Sequence, residues 1–203
     1  MSLRLDLDRT GMAWSDGYLD AAETEEILYE LKFVWWRRSQ VVRAGQSGGL
    51  ESFVSASRTS QTSGQCWFNA ALMYHLLRIE TRLCSELRVD PTRLETWQAV
   101  RYGPGERFGL HHDAGLFGSD PAGERVLTVV LFLDTPQLGG ATYFPDLDLL
   151  VDAQPGRLLV WNNLSPDGSI DSTKRHASTP VHCGTKTILT TWSRQSSVRS
   201  VEP

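Results

Sequence analysis

Cysteine is scarce in this chain. Only Cys66, Cys84 and Cys183 occur in 203 residues, and no two are spaced as Cys-x-x-Cys. That spacing excludes the paired thiolates of a structural zinc site. If Cys66 and Cys84 share one helix, they lie about 27 Å apart along its axis. A disulfide needs Cα atoms within about 7 Å, so the thiols are expected free, in a reducing compartment. Long apolar runs are missing too, and nothing approaches the roughly 20 residues of a membrane span. The opening MSLRLDLDRTG puts acids where a signal peptide has its apolar stretch, and a soluble, cytoplasmic protein with no membrane partner is expected. Basic charge is not in excess. The net charge is −4, and scattered arginines offset by acids form no field for phosphates, so no nucleic-acid partner is expected. The one basic cluster, Trp35-Trp36-Arg37-Arg38, reads as a solvated edge beside core aromatics. Internal repeats and low-complexity segments are absent.

What remains is ordinary globular composition, in a length that suits one domain with a large enough core to need no staple. Apolar residues among acids over 12–31 predict a helix starting near Asp20. Between Trp67 and Leu87, Phe68, Ala71, Leu72, His75, Leu76, Ile79, Leu83 and Leu87 recur at three- and four-residue steps, which predicts an amphipathic helix. Asp90-Pro91 is its expected stop, and GQSGG at 45–49 is an expected turn. FVWW at 33–36 is expected to be buried under the barrel rather than to line an interface. From residue 94 the pattern changes to short β-like runs, LETWQAVRY, RVLTVVLFL, RLLVW and KTILTTW, parted by Gly- and Pro-rich breaks. Helices followed by many short strands predict an antiparallel sandwich or barrel braced by helices, whose mouth can hold a metal and a small ligand.

Chemistry concentrates in RYGPGERFGLHHDAG. His111 and Asp113 lie two apart, and residues i and i+2 of a strand share a face. His176, in KRHASTPV, is a third candidate ligand. Two imidazoles and one carboxylate can cap one face of an octahedral iron(II) and leave positions open for co-substrate and O2. The same set can hold catalytic zinc or manganese, so the residues alone leave the metal open. His112 is expected on the opposite face, His75 on a helix and His182 at a strand edge. In KTILTTW, Lys186, Ile188, Thr190 and Trp192 alternate onto one face. A lysine on a barrel-interior face is costly unless it meets an anion, whereas a strand starting at Thr187 would let it reach solvent.

Seven segments in order carry a family resemblance over about Ser57 to Trp192. They are SRTS (57–60), QAVRYGPGERFGLHHD (98–113), LTVVLFLD (127–134), GGATYFP (139–145), PGRLLVW (155–161), RHASTPV (175–181) and GTKTILTTW (184–192). Together they resemble the prolyl 4-hydroxylase-like branch of the iron(II)/2-oxoglutarate dioxygenases. The resemblance implies a mainly β fold with supporting helices and a double-stranded β-helix core, jelly-roll and cupin-like. It implies one domain over 1–203, with helical support at about 12–93 and the β core at about 94–194. Position by position, His111, Asp113 and His176 match the iron ligands and the catalytic centre. Lys186 matches the residue that pairs with the distal carboxylate of 2-oxoglutarate. Tyr102 matches a hydrogen-bonding tyrosine, Thr190 a polar co-substrate contact and Trp192 a wall of the pocket.

The implied reaction hydroxylates an amino-acid side chain, first of all a prolyl residue in a protein or peptide. O2 is consumed, succinate and CO2 are released, and ascorbate is the implied reductant. Asp113 argues for hydroxylation, because related halogenases carry a small residue there. Phe108 departs from the pattern: collagen-type members have a tyrosine three positions before the first ligand. That departure keeps a free amino acid or small peptide open as substrate. Arg58 is expected at the rim or against a substrate carboxylate, and Asn162 and Asn163 as rim contacts. From other classes, a zinc hydrolase gains nothing from Lys186, and a non-catalytic β-sandwich interaction module would make HHD a polar loop.

Overall fold

The computed structural model describes residues 2–45 and 49–199. The predicted GQSGG turn lies largely outside them. Among the described residues three α-helices lie in the first half of the chain, interspersed with short strands: α1 (Leu3–Thr10), α2 (Ala21–Glu30) and α3 (Ala70–Leu87). α2 begins where the sequence predicts, because Asp20 and Glu23 form a reciprocal capping box. α3 starts three residues later than expected, after Asn69 caps it by accepting from the Leu72 N–H. It ends at Arg88 in the left-handed conformation, before Asp90-Pro91 is reached.

Among the described residues fifteen short strands accompany the helices. The first half of the chain holds β1 (Met12–Ser15), β2 (Arg37–Arg38), β3 (Val41–Ala44), β4 (Leu50–Phe53) and β5 (Gln61–Gly64). β6 (Gln98–Tyr102), β7 (Phe108–His111), β8 (Arg125–Phe132), β9 (Leu138–Gly139) and β10 (Thr142–Phe144) follow. β11 (Leu149–Val151), β12 (Leu158–Asn162), β13 (His176–Ser178), β14 (Val181–Cys183) and β15 (Lys186–Arg194) complete the set. The main sheet runs β1-β12-β8-β15-β6-β5-β2, and a second runs β11-β10-β13-β7. β14-β9 and β3-β4 are two-stranded ribbons. Three strands from before residue 70 therefore belong to the main sheet.

The double-stranded β-helix, jelly-roll and cupin-like expectation is corrected here. Among the described residues the antiparallel strands form four separate sheets, and no sheet closes into a barrel. The main sheet keeps free edges at β1 and β2, and the second at β11 and β7. With a helical layer supplying one of its cores, the fold is mixed α and β rather than mainly β. Apolar alternation marks strands, but it does not say which edges pair, so closure was not readable from the runs.

Alternation along the central strands divides the interior. Val129 and Leu131 of β8, Leu158 and Val160 of β12, and Leu189 of β15 face the helices, where Leu72, Leu76, Ile79, Leu83 and Leu87 of α3 cover them. Val130, Phe132, Leu159, Trp161 and Ile188 face the second sheet, together with Phe144 and Val151. One face of the main sheet is thus anchored, and the other is available for a site. Phe33 and Trp35 are exposed, against the expected burial of FVWW. Val34 is buried and Trp36 packs against the helical core.

Leu189 pairs with Ala99 on one side and Leu131 on the other, fully buried. Leu189→Ala is expected to cost about 2–5 kcal/mol by leaving a cavity under the helices. Denaturant unfolding with an unchanged m-value would register it.

Candidate functional site

β7 and β13 are antiparallel neighbours, and their register sets His176 opposite His111. The ring centroids lie 4.2 Å apart. Each imidazole contacts the carbonyl of the residue two before it through Nδ1: His111 on Gly109 O and His176 on Lys174 O, both at 2.9 Å. A carbonyl only accepts, so Nδ1 carries the proton and Nε2 keeps its lone pair. Both Nε2 atoms turn to Asp113. His111 Nε2 lies 3.6 Å from Oδ1 and His176 Nε2 lies 3.7 Å from Oδ2. The three donor atoms lie within 4.8 Å of one another.

Asp113 is not on a strand with His111, as the two-residue spacing suggested. β7 ends at His111 and Asp113 follows in a bend. Thr128 of β8 holds it there, donating from Oγ1 to Asp113 Oδ2 at 2.7 Å. Asn163 Nδ2 donates in turn to Thr128 Oγ1 at 2.9 Å. Burial opposes ionisation of Asp113, but His176 and His111 outweigh it and hold the carboxyl well below its usual range. Burial, reinforced by His111, pushes His176 down to about 4, so its imidazole is neutral near pH 7. Two neutral nitrogens and one anionic oxygen, with no thiolate, suit a borderline divalent ion with open positions. The buried Thr128–Asn163 chain is the kind of support that fixes a ligating carboxylate.

A cavity of about 610 Å³ opens from this cluster. Lys186, Ile188, Thr190 and Trp192 all line it, as does Tyr102. Lys186 is only 1% exposed. Its Nζ donates to Ser178 Oγ at 2.9 Å and lies 5.2 Å from the Tyr102 ring and 5.5 Å from Phe132. No carboxylate among the described residues pairs with it. Asp134 behind it is taken up by Thr187 and Thr185. Burial pushes the ammonium down to about 7 against the weaker pull of Asp134. The Tyr102 hydroxyl faces Ser60 and Ser178, and its burial raises its pKa. Thr190 donates its hydroxyl to Val129 O at 2.9 Å, so in this arrangement it offers the cavity acceptor lone pairs. Trp192 walls the cavity, with the Arg125 guanidinium 3.7 Å from its ring centre. Glu95 clamps Arg125 through two hydrogen bonds of 2.8 and 2.6 Å.

Phe108 stacks on His111, centroids 3.6 Å apart and planes 17° from parallel. Arg58 lies over the other side of that stack, 4.6 Å from the Phe108 centroid. His112 sits half-buried at the rim outside the ligand cluster. His75 is on α3 near Glu26, and His182 is exposed on β14. Asn162 donates its backbone N–H to Gly11 O, on the side of α1. Thr128, Ser178, Arg125 and Glu95 were not singled out from the sequence. Thr128 could have been: it is the one polar residue within the apolar run of β8, on the face that alternation assigns to the cavity.

The model of the 2OG-Fe(II) oxygenase superfamily matches residues 97–194. The chain is 30% identical to prolyl 4-hydroxylase subunit alpha-1 of Gallus gallus over 138 residues, 65% of this chain and 27% of that protein. It thus spans about a quarter of that relative's length. Its fold resembles the viral collagen prolyl hydroxylase of Paramecium Bursaria Chlorella virus-1 solved with 2OG, with a TM-score of 0.67 and 22% identity over 92% of this chain and 97% of that one. It also resembles a Trichoplax adhaerens prolyl hydroxylase solved with a hypoxia inducible factor peptide fragment. That likeness has a TM-score of 0.66 and 16% identity, over 96% of this chain and 88% of that one. At these identities the two structures speak to fold.

The position of Lys186 has a measurable consequence in the protein without ligands. Its folded pKa lies below the unfolded value, so the unfolded chain binds more protons between about pH 7 and 10.5. The lysine therefore costs stability in full below about pH 7, and the cost fades as pH rises to 10.5. Lys186→Met is expected to stabilise the ligand-free protein near pH 7 by more than about 1 kcal/mol and to remove that rise. Urea unfolding of both proteins across the window checks it.

Proposed function

The chain belongs to the 2OG-Fe(II) oxygenase superfamily as a prolyl 4-hydroxylase-like member, and we propose that it hydroxylates a prolyl residue in a peptide or protein using iron(II), 2-oxoglutarate and O2. The observation that carries the reading is the buried, anion-free ammonium of Lys186 in the same cavity as the His111–Asp113–His176 cluster. A metal cluster alone would fit a hydrolase. A cation kept dry beside it asks for a ligand that has one end for the metal and a carboxylate at the other.

In this reading His111, Asp113 and His176 hold the iron through Nε2, a carboxylate oxygen and Nε2. The iron, with 2-oxoglutarate and O2, supplies the oxidising chemistry for an unactivated C–H bond and yields succinate and CO2. The Nδ1 bonds to Gly109 and Lys174 carbonyls fix both imidazoles in the ligating tautomer. Thr128 steadies Asp113 Oδ2 and leaves Oδ1 to face His111. Lys186 pairs with the far carboxylate, and its charge is restored when that anion arrives. Tyr102 and Ser178 stand beside the ammonium to hydrogen-bond the same carboxylate, with Thr190 as a polar wall. Val130, Ile188 and Trp161 make the remaining wall apolar, which excludes water from the reacting end. Ascorbate is the expected reductant when the metal is oxidised without turnover.

The proposal takes residues 1–203 as one catalytic unit. A peptide substrate is supported by the prolyl 4-hydroxylase relatives and by the fold it shares with a prolyl hydroxylase that was solved holding a peptide. Phe108 gives the second reading, a free amino acid. Packed on His111 with no hydroxyl, it cannot hydrogen-bond a prolyl residue as a tyrosine would.

The test is aerobic incubation with iron(II), 2-oxoglutarate and proline-containing peptides. One oxygen should be added to the peptide by mass, matched by succinate, with free proline turned over more slowly. Equal or faster turnover of free proline would move the assignment to an amino-acid hydroxylase. Succinate formation that never responds to a prolyl peptide would refute the prolyl assignment.

A further inference from the structure

The chain carries a net charge of −4, yet the cavity at the candidate site is lined by four cations, Arg37, Arg58, Arg125 and Lys186, and by the single carboxylate of Asp113. Two of the cations are accounted for. Glu95 neutralises Arg125 through a two-pronged ion pair at 2.6 Å, and Lys186 takes the co-substrate in the reading above. Asp113 is committed to the metal. Arg58 and Arg37 remain, and neither pairs with any carboxylate among the described residues.

Arg58 is placed deliberately. Its backbone bridges to Phe108 at the edge of β7, and Gly109 N–H donates to Ser57 O at 2.7 Å, which ties SRTS to the ligand strand. Its guanidinium lies on Phe108, which stacks on His111. One Nη1 bond to Gln40 O, at 3.0 Å, is its hydrogen bond in this structure. Its Nε is buried with no partner at all. A donor of a charged group left dry and unpaired is costly unless a ligand completes it.

Arg37 reaches the same space from the main sheet. It pairs with Thr62, Thr62 with Val100, and Val100 with Ile188. Residues paired across antiparallel strands share a face, and Thr62, Val100 and Ile188 all line the cavity. That row crosses the cavity face and ends on Arg37 at the exposed edge strand.

We infer that the hydroxylated substrate is acidic: it brings a carboxylate close to the target residue, and Arg58, with Arg37 at the mouth, receives it. This rests on the prolyl reading for the identity of the target residue, but not for the charge it keeps. The carboxylate can belong to an Asp or Glu side chain flanking the proline or to a chain end. A planar guanidinium fits either through paired N–H donors.

The test uses binding under anaerobic conditions, with iron(II) and 2-oxoglutarate present so that nothing turns over. Amidated fluorescent peptides would differ only in the residues flanking one proline: glutamate, serine or lysine. A fourth, with serine flanks and a free carboxylate after the proline, separates a chain end from a side chain. The glutamate peptide, or the free-carboxylate one if the source is a terminus, is expected to bind at least about ten-fold tighter than the amidated serine peptide, and the lysine peptide most weakly. Arg58→Gln should shrink that preference to within about two-fold, Arg58→Lys should keep part of it, and salt should erode it. Calorimetric binding of 2-oxoglutarate to the variants confirms that the cavity is intact. Equal binding of acidic and serine peptides overturns the inference, as does an acidic preference that survives Arg58→Gln combined with Arg37→Gln. An acidic peptide with alanine for proline that binds in an Arg58-dependent way, while no prolyl peptide is hydroxylated, would remove the prolyl reading and leave this one standing.

Discussion

An ammonium group buried without an anion is the constraint around which this structure is organised. Lys186 opens the central strand β15, on the cavity face of the main sheet, and the fold gives it only a serine hydroxyl and two aromatic rings. Isolated, that arrangement loses more solvation than it regains. It persists because the opposite face of the same sheet is locked against α3 by a continuous apolar layer. The helical core carries the stability, and the cavity face carries the electrostatic cost. Such a division is expected where a group is held ready for a ligand rather than for the fold.

The His111–Asp113–His176 cluster shows the same economy. One strand pairing, β7 with β13, sets His111 against His176, and a neighbouring sheet strand supplies Thr128 to hold Asp113. Thus the second sheet provides the two imidazoles and the main sheet fixes the carboxylate. Backbone carbonyls set the tautomer of both imidazoles, so no further side chain is spent on orienting them. Phe108 and Trp161 pack against the two rings, limiting their rotation while leaving the Nε2 side open.

Much of this was legible in the residues. The apolar residues among acids over 12–31 and the three- and four-residue periodicity before Leu87 locate two helices. The alternation of KTILTTW assigns Lys186, Ile188, Thr190 and Trp192 to one face, which the structure places on the cavity. What was not legible depends on pairing at a distance. β1 joins the main sheet through β12, some 145 residues away, from a segment with no strong β pattern. The open edges of the sheets, which set aside the closed β-helix expectation, leave no mark in a hydrophobic run. Thr128 and Asn163 matter because they meet, and Arg125 is neutralised by a glutamate 30 residues earlier. Asp113 meets His111 through a bend after the strand and not by sharing a strand face with it.

The central claim is that one cavity holds a metal on the His111–Asp113–His176 side and a carboxylate on Lys186, joined by a single 2-keto dicarboxylate. Anaerobic titration of the metal-free protein with iron(II), then 2-oxoglutarate, tests it most directly, through the weak visible charge-transfer absorption of a 2-keto acid chelated to ferrous iron. The account predicts that the band appears and saturates, is lost in His176→Ala, and needs at least about ten-fold more 2-oxoglutarate in Lys186→Met, the loss expected of one charged contact. Iron binding with no band, or a band that titrates identically in Lys186→Met, would contradict it.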